Sequence, residues 1–179
     1  MINKEIEDRM NKQEIVTQAI KKGKMSATKK EKSTSDNKLL SVIRISGMVG
    51  VNKDIAETLD RLRLRRKYVC VLINSNKNNE GMLKKIKFYI AYGEIDKNTL
   101  VKLIKERAKS AEGDKNKIKI NVEDVADSLI KGKKLSDFML KPFFRLHPPR
   151  KGIKSKLAYP KGVLGNNGKD INKLIERML

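Results

Sequence analysis

The densest group of side chains able to bind a ligand is a basic run over residues 59–67, which reads Leu-Asp-Arg-Leu-Arg-Leu-Arg-Arg-Lys. Leucines at 59, 62 and 64 can pack against a core and leave the basic side chains clustered outside: Arg61, Arg63, Arg65, Arg66 and Lys67. A guanidinium is a planar, permanently charged fork that fits phosphate oxygens and stacks on bases. The run therefore predicts a phosphate-binding surface. The alternative is an amphipathic helix end whose charged face meets only solvent.

A second basic segment lies closer to the C-terminus. All four prolines fall between residues 142 and 160, a stretch with no acidic residue. Because proline lacks an N–H and fixes φ, such a segment cannot be a helix or a central strand. We predict an extended arm that is anchored by Phe143 and Phe144 and laid along phosphates. Its expected contacts are Arg150, Lys151, Lys154 and Lys156.

The residues from which catalytic sites are built are scarce. His147 is the only histidine and precedes two prolines, so any Ser–His or Cys–His pair would depend on it. Cys70 lies within an apolar run and is expected to be a small core residue. Two candidate ligands cannot form a structural zinc site. The glycines at 162, 165 and 168 are spaced wrongly for a phosphate loop and are interpreted as loop residues. We predict no enzymatic activity, no catalytic or metal-binding residue and no cofactor.

The elements that must position the first basic run form a predicted βαβαβ unit over residues 40–95. Residues 39–46 alternate as in a half-buried strand, with Arg44 on the less apolar side. Gly47 and Gly50 make a turn, and Asn52 is a helix cap before an apolar stripe ending at Leu62. Residues 68–73 are rich in β-formers and predict a central strand. Residues 82–90 carry a second helical stripe, and 92–95 are a short third strand.

The fold class predicted is α+β, with a small ferredoxin-like core, a long N-terminal helix and a basic extended C-terminal arm. Residues 1–38 are expected to be a basic helical extension and a linker, with the helix over 1–20. Residues 39–108 are the βαβαβ core, which carries the predicted phosphate-binding run, plus a third helix from Asn98 to Ala108. Residues 109–179 contain a brief strand at Ile118 and Ile120, short helical pieces over 123–130 and 136–140, the arm, and a terminal helix over 169–179.

Composition narrows the class of partner. The 179 residues include 42 Lys plus Arg against 21 Asp plus Glu, a formal charge of +21, which opposes compaction unless a polyanion is bound. No apolar run approaches the roughly 18 residues of a membrane-spanning helix. One cysteine and an N-terminus without an apolar signal core favour a reducing intracellular compartment. Structured RNA, held mainly through its phosphates, fits better than a DNA groove.

Three motifs, in this order, resemble a family of large-subunit ribosomal proteins that is numbered seven in eukaryotes and thirty in bacteria. They are Val-Ile-Arg-Ile at 42–45 followed by Gly47, Leu-Arg-Leu-Arg at 62–65, and Tyr-Ile-Ala-Tyr-Gly at 89–93. The similarity runs from about Leu40 to Ala108 and resumes around residues 142, 149 and 165. Val69-Cys70 stands where the family tends to have Asn-Gly, and residues 129–142 look shortened.

The resemblance implies a structural component that binds large-subunit rRNA and has no catalytic activity. The residues matched to the family as RNA contacts are Arg44, Arg63, Arg65, Lys77, Arg150 and Lys154. Charge alone adds Arg61, Arg66, Lys151 and Lys156. The expected partners are large-subunit rRNA and neighbouring large-subunit proteins, with no membrane and no small-molecule substrate. The expected location is the cytoplasmic ribosome after nuclear or nucleolar transit. The alternative is a nucleolar assembly factor that binds pre-rRNA, and an RNA-modifying enzyme is the third hypothesis.

Overall fold

One five-stranded sheet organises the chain in the computed structural model, which describes residues 38–111, 121–153 and 155–179. The strand order is β4-β2-β1-β3-β5. β1 is antiparallel to both of its neighbours, β4 is antiparallel to β2, and β5 is parallel to β3. The strands are β1 (Leu39–Arg44), β2 (Val69–Asn74), β3 (Ile90–Glu94), β4 (Phe144–Arg145) and β5 (Gly165–Asn166).

The helices alternate with the first three strands and then follow them, as the sequence predicts. They are α1 (Lys53–Arg61), α2 (Lys77–Ile86), α3 (Lys97–Arg107), α4 (Val122–Ile130) and α5 (Ile171–Met178), with 3-10 turns at Leu135–Phe138 and Gly168–Asp170. Two details differ from the prediction. The second helix ends at Ile86, so Ile90 belongs to β3 instead of the helical stripe. The piece predicted over 136–140 is a 3-10 turn.

Both faces of the sheet are buried under helices. Val42 packs on one face with residues of α1 and α2, such as Leu59 and Leu83. Ile43 packs on the other face with residues of α3 and α5, such as Leu100 and Ile175. The prediction that β1 is half-buried is therefore wrong, because a layer of helices covers each side of it. Burial on both faces also explains the continuous apolar run of β2.

The C-terminal part of the chain completes this sheet at both of its edges, through β4 and β5. The prolines are compatible with this arrangement because β4 is a two-residue edge strand. Beyond β4, the backbone N–H of His147 donates to the Met178 carbonyl at 2.9 Å. The Arg177 guanidinium donates to the carbonyls of Arg150 and Gly152 at 2.8 and 2.6 Å. This part of the predicted extended arm is thus folded against α5.

Several predictions lie outside the described residues. They are the N-terminal helix over 1–20, nearly all of the linker that follows it, and the strand at Ile118 and Ile120. Where the structure describes the chain, it contains no helix long and apolar enough to cross a membrane. The same residues contain no group of three or more His, Cys, Asp or Glu side chains that could hold a metal ion.

Candidate nucleic-acid interface

The arginine run is held in place by the end of α1 and the turn that follows it. α1 is capped by Asn52, whose side-chain oxygen accepts the Asp54 N–H at 3.2 Å. The three leucines at 59, 62 and 64 are buried, as predicted, while the arginines between and after them are exposed. Arg63 has a φ of +60°, in the left-handed region, and this conformation reverses the chain after the helix. The leucines therefore fix where the guanidiniums emerge.

Arg44 fastens this turn to the loop after β1. Its guanidinium donates to the carbonyls of Ser46 at 3.0 Å, Gly47 at 2.7 Å, Leu64 at 2.7 Å and Arg65 at 3.1 Å. The side chain is only 4% exposed. Burial lowers the pKa of the Arg44 guanidinium, although a group of such high ordinary pKa stays charged.

The structure therefore does not support the prediction that Arg44 contacts RNA directly. Its guanidinium is buried and makes four hydrogen bonds to backbone carbonyls within the protein, so it is not presented to a ligand. The buried Arg44 guanidinium links the loop after β1 to the turn after α1, and this link fixes the geometry of the exposed arginines beside it. Arg44 is a positioning residue.

Two adjoining depressions bring the exposed basic side chains together. A depression of about 460 Å³ is lined by Arg63, Arg65, Arg66 and Arg145. A groove of about 340 Å³ is lined by Arg61, Arg63 and two lysines, together with apolar and amide side chains. Arg63 and Pro142 line both, so the basic surface is continuous. We call it the arginine surface, and its members are Arg61, Arg63, Arg65, Arg66, Lys133, Lys134 and Arg145.

Three members of the arginine surface were missed by sequence reasoning: Lys133, Lys134 and Arg145. Arg145 reaches the surface because β4 pairs with β2, which places it opposite Val69. Its guanidinium lies 5.9 Å from the centre of the Phe143 ring, within reach of a cation–π contact. Nothing local in the sequence indicates this pairing. The lysines follow α4 and lack any pattern that distinguishes them from the many other lysines.

Acidic neighbours orient two of the arginines. Arg61 forms an ion pair with Glu57 at 2.7 Å, one turn earlier in α1. Arg65 donates to both carboxylate oxygens of Asp60. Exposed pairs of this kind contribute little stability, so a phosphate can replace the carboxylate at small cost. Arg63 and Arg66 have no acidic partner among the residues that the structure describes.

Comparison with known proteins identifies the family. The family model described as ribosomal protein L30p/L7e matches residues 40–90, which include all of β1 except Leu39, and α1, the arginine run, β2 and α2. The chain is 42% identical over 152 residues to the large ribosomal subunit protein uL30 of Methanococcus maripaludis, covering 78% of this chain and 98% of that protein. This chain belongs to the L30p/L7e family.

Two further relatives agree. The large ribosomal subunit protein uL30 of Archaeoglobus fulgidus is 42% identical over 151 residues, covering 78% of this chain and 99% of the relative. That of Hyperthermus butylicus is 40% identical over 175 residues, with 86% and 97% covered. The resemblance stated from the motifs is thus confirmed. The chain spans nearly the full length of these archaeal members.

The other predicted contacts of this L30p/L7e-family chain lie apart from the arginine surface or on its rim. Lys77 is the first residue of α2, next to Asn76, which lines the groove. Arg150 lines a separate depression of about 330 Å³ with Lys102, Glu106 and Glu176. Lys151 and Lys156 are exposed in the turns that follow. Lys154 lies outside the described residues.

The two residues considered for catalysis do not form a reactive pair in this family member. Cys70 is fully buried in β2, and burial raises the pKa of its thiol to about 12. The thiol is therefore neutral at physiological pH, as expected for a core residue. His147 is exposed, and its backbone is tied to α5. The prediction that Cys70 is a core residue is confirmed.

Proposed function

We propose that this chain is a structural constituent of the large ribosomal subunit and binds large-subunit rRNA through the arginine surface. One observation carries the proposal. The segment that matches the L30p/L7e family model contains Arg61, Arg63, Arg65 and Arg66, and these four converge on one continuous basic surface. A charge of +21 predicts a polyanion as the partner. Because the relatives are named large ribosomal subunit proteins, we propose that this polyanion is large-subunit rRNA.

The geometry suits the binding of a structured RNA backbone. Buried leucines and the Arg44 hydrogen bonds hold the arginine run before RNA arrives, so little ordering remains to be done on binding. Arg63, Arg65 and Arg66 donate to phosphate oxygens, and Arg145 stays beside the Phe143 ring. Contacts to phosphates recognise the shape of the RNA without reading its base sequence.

The predicted contacts on the arm form a second proposed region of RNA binding. Arg150, Lys151 and Lys156 are exposed, and Arg150, which lies against α5, lines a depression other than the arginine surface. Lys77 is proposed as a contact at the N-terminus of α2, and Lys154 remains a prediction. An rRNA that touches both regions would be held by two sides of the protein, which favours a structural role in the assembled subunit.

The same proposal covers the partners and the location. The ribosome is the proposed location, with neighbouring large-subunit proteins as further partners. Nuclear transit and the role of nucleolar assembly factor remain predictions from the resemblance alone. The relatives described here are archaeal, and archaeal cells have no nucleus, so they provide no support for either. Their membership in a family of ribosomal proteins supports the prediction that the chain is not an enzyme.

Sedimentation of a lysate from cells that make the protein tests this proposal. The protein is quantified by mass spectrometry across a sucrose gradient. We expect it in equal amounts with other large-subunit proteins, both in free large subunits and in translating ribosomes. Restriction to precursor particles would favour the assembly factor instead. Recovery only at the top of the gradient would contradict both roles.

A further inference from the structure

The outer edge of β2 is left open by an interruption in β4. β4 covers only the first two residues of β2, pairing Arg145 with Val69 and Phe144 with Cys70. Continuing this antiparallel register places Pro142 opposite Leu72. Proline has no N–H to donate, and the chain turns away just before it, where the Lys141 N–H donates to the Lys109 carbonyl at 2.9 Å. In the described chain, no strand lies beside the outer edge from Leu72 to Asn74.

The direction of the backbone groups along this edge follows from the hydrogen bonds around it. The Ser75 N–H donates to the Lys38 carbonyl at 3.0 Å, so residue 75 faces β1. Backbone groups alternate in direction along a strand, so those of Leu72 and Asn74 face away from β1, toward the open side. The Asn74 carbonyl accepts the Asn79 side-chain amide at 2.9 Å. The edge therefore offers the Leu72 N–H and C=O together with the Asn74 N–H.

A groove of about 340 Å³ lies over this edge. Its basic lining residues come from two parts of the chain: Arg61 and Arg63 at the end of α1 and the turn after it, and Lys133 and Lys134 in the turn after α4. The rest of the lining is mostly apolar and includes Ile73 and Leu135, with three asparagines and one serine among it. The groove thus combines an unpaired strand edge, apolar surface and positive charge at its rim.

We propose that this groove accepts an extended acidic segment of another protein, which adds a strand to β2 at Leu72. A strand edge presents a donor and an acceptor side by side, which a peptide backbone satisfies fully. A phosphate would accept from the Leu72 N–H but would repel the neighbouring carbonyl. Alternate side chains of an added strand point to opposite sides, so apolar residues can contact Ile73 or Leu135 while acidic residues meet the rim.

The groove is the part of the arginine surface that contains Arg61, Lys133 and Lys134, and its proposed ligand is a peptide instead of RNA. Arg63 borders both this groove and the depression assigned to RNA. RNA would lie over the depression that contains Arg65 and Arg66, and the peptide would lie over β2. The two ligands would meet at Arg63. A protein neighbour could in this way be fixed relative to the RNA, which suits a structural component of a ribonucleoprotein.

The first test is an NMR titration of the full ¹⁵N-labelled chain with an acetylated and amidated peptide that alternates glutamate and valine. Two matched controls carry N-methyl groups on alternate residues, one for each edge of the peptide, which removes N–H donors and leaves charge unchanged. We expect the largest shifts at the amides of Leu72 and Asn74, and loss of binding for the control whose blocked edge faces β2. Equal binding of all three peptides, or shifts centred elsewhere, would overturn the proposal.

The second test separates the rim from general charge attraction. The double variant Lys133→Glu/Lys134→Glu should weaken peptide binding by about tenfold, because both side chains line the groove. The matched control Lys84→Glu/Lys85→Glu makes the same charge change on the exposed side of α2 and should have a much smaller effect. Equal weakening by both would contradict a specific site.

A titration with single-stranded oligouridylate tests whether the groove binds RNA instead of a peptide. If it shifts the Leu72 amide and depends on Lys133 and Lys134 as strongly as the peptide does, the groove belongs to the RNA surface and the peptide proposal fails. No displacement of the peptide by oligouridylate supports the proposal. The sedimentation experiment does not depend on this groove, so either proposal can fail while the other stands.

Discussion

The charge of an arginine does not show whether its side chain is buried and holds the protein together or is exposed and available to a ligand. Arg44 and Arg63 carry the same charge and both match the family resemblance, yet one is buried and the other is exposed. Alternation along β1 placed Arg44 away from the most apolar face. It did not show that the loop after β1 and the turn after α1 both present carbonyls to that side. Those carbonyls come from residues far apart in the chain.

Replacing Arg44 by lysine should destabilise the protein, because one ammonium cannot reach the four carbonyls that the guanidinium serves. We expect the free energy of unfolding in urea to fall by about 2–3 kcal/mol, the range for lost hydrogen bonds to a charged group. Arg66→Lys is the control, since Arg66 is exposed, and should leave stability nearly unchanged. Equal effects of the two substitutions would contradict the positioning role.

Cys70 gives a dependence of stability on pH whose sign follows from its burial. The folded thiol has a pKa of about 12, above its ordinary value of about 8.5. Between these values the unfolded chain releases the proton and the folded chain keeps it, so stability falls as pH rises. The slope is about 1.4 kcal/mol per pH unit for one proton.

The variant Cys70→Val isolates this effect because it removes the thiol and keeps an apolar side chain of similar size. Urea unfolding under reducing conditions at pH 7 and pH 10 measures it. The native chain should lose about 2 kcal/mol more than the variant over this interval. An equal loss in both proteins would show that the thiol ionises as easily in the folded state as in the unfolded state.

At the scale of elements, local patterns are sufficient for α1, α2, α3, α4 and the first three strands. Their apolar spacing is contained in consecutive residues, and so is the Asn52 cap of α1. The pairing of strands is not. The sequence does not show that β1 is the middle strand, or that residues 144–145 and 165–166 close the two edges. Two-residue strands carry no period to detect, and their pairing depends on contacts distant in sequence.

Gly93 shows how closely β3 approaches the turn before α5. A Cβ at this position would overlap the backbone carbonyl of Gly168. Gly93→Ala should therefore separate β3 from this turn and reduce the free energy of unfolding by about 2–3 kcal/mol. Gly81 in α2 has open space around it, so Gly81→Ala should stabilise the chain by about 0.5–1 kcal/mol. Opposite signs in urea denaturation are the expected result, and two effects of the same sign would contradict this packing.

At the scale of the whole molecule, net charge and one arginine run were enough to predict a polyanion as the partner. The full arginine surface was not predictable, because it needs the end of α1, β4 and the turn after α4 to meet around Pro142. The positions of Lys133, Lys134 and Arg145 relative to Arg63 are consequences of tertiary structure. Charge placement therefore predicted the chemistry of the site, while the fold determines its extent.

The double variant Arg63→Ala/Arg65→Ala tests whether this surface carries the RNA contact. Both side chains are exposed, so we expect the variant to fold, with an unfolding transition in urea close to that of the native chain. Binding to purified large-subunit rRNA should weaken. The slope of log affinity against log salt concentration should become shallower by roughly 1.5, because two phosphate contacts are lost. Incorporation into subunits should fall, most clearly at raised salt.

Lys84→Ala/Lys85→Ala removes the same charge from α2 and is the control. Normal incorporation of the Arg63→Ala/Arg65→Ala variant at raised salt would mean that the arginine surface is not where the subunit holds this protein.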